Sequence, residues 1–119
     1  MAAHAFLSAS SSHRWMNCPP SAKLCADKKD RASEFALQGT DAHSLCEHKL
    51  KKAIGMKSRN PTNNLTYYDE EMEQCAEEYA QYCSSVVEEV KKVCKDPVVL
   101  IEQKLDFSKY VPEGFGTGD

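Results

Sequence analysis

A long amphipathic segment in the second half of the chain is the feature that most limits how it can fold. Its apolar and small side chains recur at alternating steps of four and three residues, at Met72, Ala76, Tyr79, Cys83, Val86, Val90 and Val93. Such steps place side chains on one stripe of an α-helix. Asp69 is a suitable N-cap, and Pro97 cannot continue a helix. We therefore predict a helix over residues 69–95 that buries its stripe either against its own domain or against a second copy in a coiled coil.

A second helical pattern covers residues 33–54 and ends before Gly55, a residue typical of helix C-termini. Two short helices are expected near the N-terminus, and a strand over about residues 98–105. Gly114–Asp119 would begin a further strand. The predicted fold class is mainly α with a short C-terminal β segment. Because the last strand would be cut by the chain end, we expect residues 1–119 to form a single, incomplete domain.

Charge is distributed unevenly along the chain. Residues 1–59 carry ten Lys and Arg against five Asp and Glu, whereas residues 60–96 carry three Lys against nine acidic residues. A basic segment suits phosphate groups. The candidate nucleic-acid contacts in it are Arg14, Trp15, Lys49, Lys51 and Lys52. Ordinary structural roles are also open, since Trp15 can anchor the first helix and lysines at a helix C-terminus are favoured by its dipole.

The chain has no apolar run near the roughly 20 residues that a membrane span requires. Its first residues do not resemble a secretory signal. We therefore expect a cytoplasmic protein without a membrane partner. The six cysteines lack the C-x-x-C spacing of zinc and iron–sulfur sites. We therefore expect reduced, mostly packed thiols; the less favoured alternative is an iron–sulfur cluster that would need further cysteines from beyond residue 119.

Three residues in the chain are candidates for holding a divalent cation. Gly39 begins a small-residue turn that presents His43, and Gly116 lies in a glycine-rich run that presents Asp119. Glu102 lies on the predicted strand. Carboxylate and imidazole ligands can hold Mg²⁺ or Mn²⁺, which activate water in phosphodiester hydrolysis. Each residue alone is equally compatible with a surface or turn position. Their order and setting together favour His43 and Asp119 as metal ligands, with Asp119 and Glu102 as catalytic carboxylates.

Three motifs follow one another along the chain. A serine-rich start precedes Cys18-Pro19, a G-x-x-x-H motif is formed by Gly39 and His43, and a G-x-x-D motif is formed by Gly116 and Asp119. Longer blocks at residues 14–22 and 110–119 extend the first and the last of them. In these features the chain resembles the PD-(D/E)XK nuclease superfamily in its RecB-like exonuclease branch, and most specifically a prophage-associated group within that branch.

The resemblance implies the N-terminal part of an α/β or α+β nuclease-like domain, with DNA as partner and Mg²⁺ or Mn²⁺ as cofactor. It assigns His43 and Asp119 as metal ligands, whereas Glu102 matches no motif. The superfamily's acidic-x-Lys and Gln-x-x-x-Tyr motifs would follow Asp119, so we expect the 119 residues alone to be inactive. Whether the chain is an enzyme stays open. The alternative is a non-catalytic helical interaction module or a DNA-binding module of phage origin, and self-association would use helix 69–95.

Overall fold

The structure, a computed structural model, describes residues 4–29 and 31–118; Met1–Ala3, Asp30 and Asp119 lie outside the described part. As predicted, the described residues are mainly helical with a short C-terminal sheet. The elements are α1 (Ser12–Asn17), α2 (Pro20–Cys25), α3 (Glu34–Ala53), α4 (Glu70–Val93), β1 (Gln103–Asp106) and β2 (Phe115–Gly118), with 3-10 turns at Ala9–Ser11 and Thr62–Asn64. The chain divides into two compact units, one formed by Met1–Arg31 and Glu102–Asp119 and the other by Ala32–Ile101.

The helix predicted over residues 33–54 is confirmed as α3. The Ser33 side chain accepts a hydrogen bond from the backbone N–H of Ala36 and caps the first turn. At the other end, Gly55 has a φ of 82°, and the N–H of Met56 donates to the carbonyl of Lys51 at 2.8 Å. This pairing is the Schellman arrangement, in which a glycine in the left-handed region lets the last carbonyls find donors.

The helix predicted over residues 69–95 is confirmed as α4, with slightly shorter bounds. The Asp69 carboxylate accepts from the N–H of Met72 at 2.7 Å, and three glutamates lie in the first turn. Both features stabilise a helix start because that end carries unsatisfied N–H groups and a partial positive charge. The helix ends at Val93, and Cys94 is already extended.

Helices α3 and α4 run in the same direction along the second unit. The Asp41 carboxylate accepts two hydrogen bonds from the connecting segment, from the backbone N–H groups of Thr66 and Tyr67, each at 2.9 Å. The chain therefore returns to the first half of α3 before α4 begins. Further along, Leu45 packs against Met72 and Ala76, which form the buried cluster between the two helices.

The stripe of α4 is buried only in its first half. Met72 and Ala76 are 8% and 1% exposed, so the expectation that the stripe packs on its own domain is confirmed there. Val86, Val90 and Val93 are 40%, 41% and 88% exposed. Because the two helices run in parallel and α4 starts beside Asp41 rather than beside Glu34, the first residue of α3, α4 continues beyond the end of α3. The second half of the stripe therefore lacks a covering helix among the described residues.

The two strands form an antiparallel ladder. Gln103 pairs with Gly118 at one end, and Asp106 pairs with Phe115 at the other. In the connecting turn, a Cβ on Gly114 would lie 2.8 Å from both the Phe107 ring and the Val111 carbonyl oxygen. Contacts this short exclude a side chain, so the turn requires glycine at position 114.

The prediction of a strand over residues 98–105 is wrong for residues 98–102. Glu102 has a φ of 48°, in the left-handed region, and this interrupts an extended backbone before β1 begins. Val98 and Leu100 are 83% and 58% exposed, so the predicted face of a strand starting at residue 98 is not formed. The strand expected to open after Gly114 is present as β2.

No described helix is long and apolar enough to cross a membrane. The expectation of packed thiols holds only in part. Cys25 and Cys83 are partly buried free thiols, whereas Cys18, Cys75 and Cys94 are exposed.

Replacing Leu45 with alanine should lower the free energy of unfolding by about 3 kcal/mol, because a fully buried leucine leaves a cavity when truncated. Urea unfolding followed by far-ultraviolet circular dichroism measures the change. Leu37→Ala is the matched control, since Leu37 lies on the same helix and is 42% exposed; it should cost less than about 1 kcal/mol. Equal losses in the two variants would contradict the proposed role of the α3–α4 contact.

Candidate metal and nucleic-acid site

The β-ladder ends one residue away, in the sequence, from each of the two candidate carboxylates. Its last pair is Gln103 with Gly118, and the neighbours of these residues in the sequence are Glu102 and Asp119. Asp119 itself lies outside the described residues. Glu102 is half-buried and is held in the left-handed region. A residue with a side chain costs about 1–3 kcal/mol in such a conformation, and conformations of this kind concentrate at functional sites.

Lys104 is a residue of this region that sequence reasoning missed. It follows Glu102 by two positions, so Glu102, Gln103 and Lys104 form an acidic-x-Lys triplet before Asp119 rather than after it. The Lys104 ammonium lies 5.0 Å from the centre of the Phe115 ring on the paired strand. The triplet is visible in the sequence, but it precedes Asp119, whereas the acidic-x-Lys motif of the PD-(D/E)XK superfamily follows the G-x-x-D motif.

The segment from Gly39 to His43 is not a turn, which corrects the prediction. It lies inside α3, because Ser33 starts the helix upstream and the Thr40 hydroxyl donates to the Ala36 carbonyl at 3.0 Å within it. His43 is exposed on this helix. A Cβ on Gly39 would meet nothing within 4 Å. The glycine is therefore not required there for steric reasons.

The candidate metal ligands belong to different units of the chain. His43 lies in the unit of Ala32–Ile101, whereas Glu102 lies in the other. Within residues 4–29 and 31–118, His, Cys, Asp and Glu side chains do not gather into a group of three or more that could hold a metal ion. The second motif glycine, Gly116, pairs with Leu105. A Cβ there would be in ordinary contact with the Phe107 ring at 3.5 Å.

Two of the three candidate lysines are bound to carboxylates of the protein itself. The Lys49 ammonium contacts Glu73 and also lies 3.2 Å from Glu77 on α4. Lys51 pairs with Glu47 one turn earlier on α3. Lys52 is exposed and makes no ion pair with a described residue. The proposal of a phosphate contact at this helix end is therefore best supported for Lys52.

The Lys49–Glu73 pair shifts the titration of both groups. The hydrogen bond from Lys49 holds the pKa of Glu73 below its ordinary value of 4.5, and a second hydrogen bond from the Tyr68 hydroxyl acts in the same direction. The same contact with Glu73 raises the pKa of Lys49 above 10.5. Each charge stabilises the other, which is the expected effect of opposite charges in contact.

Trp15 and Arg14 differ in what they already contact. The indole N–H of Trp15 donates to the Ser8 carbonyl at 2.9 Å, and its ring is half-buried, which favours the role of an anchor for the first helix. Arg14 is exposed and lines an open cavity together with Lys28 and Lys29. Lys28 and Lys29 belong to no motif in the sequence, and nothing in a linear pattern places them beside Arg14.

A family model described as "Protein of unknown function (DUF2800)" matches residues 4–119 of the chain. No solved structure matches the chain.

Replacing Glu73 with glutamine should weaken the acid dependence of stability. Because the pKa of Glu73 is lowered in the folded chain, its contribution is complete above pH 4.5 and is lost as pH falls through the lowered pKa. Both partners are partly exposed, so the expected size is no more than about 0.5–1 kcal/mol. Urea unfolding at neutral and acid pH measures it: the gap between the parent and Glu73→Gln should close on acidification. Glu89→Gln, an exposed change on the same helix, should show no such closing gap; a pH-independent difference for Glu73→Gln would contradict the assignment.

Proposed function

The chain belongs to the DUF2800 family of proteins of unknown function, and we propose that it contributes the helices and first strands of a metal-dependent DNA nuclease. In this proposal Glu102 and Asp119 provide carboxylate ligands, and His43 provides an imidazole. The reaction is hydrolysis of a phosphodiester bond. The proposal rests on the residues and on the resemblance to the PD-(D/E)XK superfamily.

The observation that carries the proposal is the end of the β-ladder. The last paired residues of the ladder are Gln103 and Gly118. In the sequence, Glu102 comes directly before Gln103, and Asp119 comes directly after Gly118. One of these, Glu102, has a backbone conformation that is costly for a residue with a side chain. A carboxylate carried on a strained backbone, one residue before a strand whose partner strand precedes Asp119 in the sequence, supports a cation ligand at Glu102.

The donor chemistry fits Mg²⁺ or Mn²⁺. Two carboxylates supply hard oxygen ligands, and an imidazole is also acceptable to Mn²⁺. A bound ion of this kind would neutralise charge on the phosphate and lower the pKa of a water molecule. In the chain itself, Glu102 and Asp119 would orient the ion, and Lys104 would add positive charge next to the phosphate.

Removing either carboxylate should weaken Mn²⁺ binding by the 119-residue chain. Because Mn²⁺ broadens nearby amide signals in NMR spectra, titration should broaden Gln103 and Gly118 first. Glu102→Gln or Asp119→Asn should lower the affinity at least about tenfold, as loss of a group that supports a metal usually does. Asp106→Asn is the matched control, since Asp106 lies at the other end of the same strand.

Alanine variants of Asp119 and His43 test the chemistry in the longest natural product that contains this chain. We expect Asp119→Ala and His43→Ala to abolish Mn²⁺-dependent DNA cleavage, with Asp106→Asn retaining it. Normal cleavage by the two alanine variants would contradict the proposed function. Unchanged Mn²⁺ affinity in Glu102→Gln and Asp119→Asn would contradict the proposed ligands.

A second candidate function, that of a helical interaction module, is favoured by the uncovered face of α4. Val86, Val90 and Val93 continue the buried stripe into solvent. The charges of the helix also suit pairing with an antiparallel copy, because glutamates fill its first turn and Lys91 and Lys92 lie in its last turn. An antiparallel pair would bring the acidic half of one helix toward the basic end of the other.

If this face binds a second copy, the mass measured by sedimentation should rise from monomer to dimer with concentration. Val86→Asp together with Val90→Asp should keep the chain monomeric, since both substitutions place charge in the apolar contact. Ser85→Asp is the control, because Ser85 lies off the stripe and is exposed. A strict monomer at all concentrations would remove this second candidate.

A further inference from the structure

An open cavity in the unit of Met1–Arg31 and Glu102–Asp119 collects positive charge and hydroxyl groups. Its volume is about 610 Å³. The polar side chains that give it its character are Arg14, Lys28, Lys29, Ser8, Ser10 and Ser11. We call it the basic cavity. It is separate from the lysines at the end of α3, which lie in the other unit.

The serine side of the basic cavity is a pre-formed turn. The Ser8 carbonyl accepts hydrogen bonds from the Ser11 N–H at 3.3 Å and from the Trp15 indole at 2.9 Å. The hydroxyl oxygen of Ser8 lies 2.7 Å from that of Ser11 and 3.4 Å from that of Ser10. Hydroxyl groups can rotate to donate to an oxygen-rich ligand. The Ser11 hydroxyl itself donates to the Ser8 carbonyl at 3.3 Å, so Trp15 and Ser11 together hold this turn, and Ser8 and Ser10 supply the hydroxyls that can turn toward a ligand.

The other side of the basic cavity carries three positively charged side chains. Arg14, Lys28 and Lys29 make no ion pair with any residue in the described ranges, unlike Lys49 and Lys51. Among the described residues that line the cavity, Glu113 is the one acidic side chain. Three cations against one carboxylate favour an anion. Guanidinium, ammonium and hydroxyl groups are all hydrogen-bond donors to phosphate oxygens, so a phosphate is the anion that this set of donors fits best.

The size of the cavity and its aromatic wall indicate more than a phosphate alone. Pockets for small molecules usually measure about 300–1,000 Å³, a range that includes this one. Phe6 also lines the wall and is 48% exposed, and an exposed aromatic ring is a stacking surface for a nucleobase. Phosphate donors beside a stacking surface fit a nucleotide.

We infer that the basic cavity binds the phosphorylated terminal nucleotide of a DNA strand. Arg14, Lys28 and Lys29 hold the terminal phosphate together with the serine hydroxyls, and Phe6 stacks on the base. The choice of DNA as the source of the phosphate rests on the proposed nuclease function. The recognition of a phosphate monoester rests on the cavity itself.

Fluorescence anisotropy on the full chain tests the inference, with EDTA present so that metal-dependent cleavage is excluded. Three internally labelled single strands of one sequence are compared, with a 5′-phosphate, a 3′-phosphate or neither. One phosphorylated strand should bind about tenfold more tightly than the unphosphorylated one, the size expected for hydrogen bonds to a charged group. Arg14→Gln and the pair Lys28→Gln with Lys29→Gln should remove that preference. Lys23→Gln is the matched control, because Lys23 lies on α2 but does not line the basic cavity.

Glu113→Gln provides a test that misfolding cannot imitate. Removing the Glu113 carboxylate should strengthen binding of the phosphorylated strand, because its negative charge opposes that of the phosphate. Equal affinity for all three strands would overturn the inference and leave the metal site untouched. A preference that survives in the Arg14 and double-lysine variants would also overturn it.

Competition with inorganic phosphate tests phosphate binding by the basic cavity independently of the proposed nuclease function. It should displace the phosphorylated strand. Phosphate binding without any DNA binding would overturn the assignment of a DNA end. A phosphate preference in a chain that fails to bind Mn²⁺ would support this inference while contradicting the proposed metal site.

Discussion

The two hydrogen bonds that the Asp41 carboxylate accepts from Thr66 and Tyr67 set the course of the helical unit. They hold the connecting segment beside the first half of α3, so α4 starts there. The contacts of Lys49 with Glu73 and Glu77, further along both helices, show that α4 then runs in the same direction as α3. The connection over residues 54–69 is long enough for this return, whereas a short connection would favour an antiparallel pair. The buried contact of Leu45 with Met72 and Ala76 follows from this starting level.

The same parallel register explains two features that otherwise look unrelated. Since α4 has 24 residues and starts at the level of Asp41, its last turns pass the end of α3, and Val90 and Val93 are left in solvent. The register also brings Lys49 against Glu73 and Glu77. Lys49, which the sequence made a candidate phosphate contact, is thus paired with two glutamates in the first half of α4.

The helices could be predicted from the sequence because their signals are local. Ser33, Gly55 and Asp69 act within one helical turn, and each has the contact expected of its residue type. The strand start could not be predicted, because the apolar run at residues 98–101 reads as a strand and only the backbone of Glu102 shows the interruption. The basic cavity was missed for another reason, since it joins Arg14 to lysines that the chain reaches only through a helical turn and a second helix.

The metal and phosphate proposals place a geometric demand on one another. His4, Phe6 and Glu113 line the basic cavity and also line a second opening that reaches Asp106 on β1. Lys104 also lines this opening and lies two residues from Glu102, about 7 Å along the backbone at about 3.3 Å for each residue. A DNA strand held by its end in the basic cavity would therefore have to run along this opening toward the start of β1 for the metal proposal and the phosphate proposal to hold together.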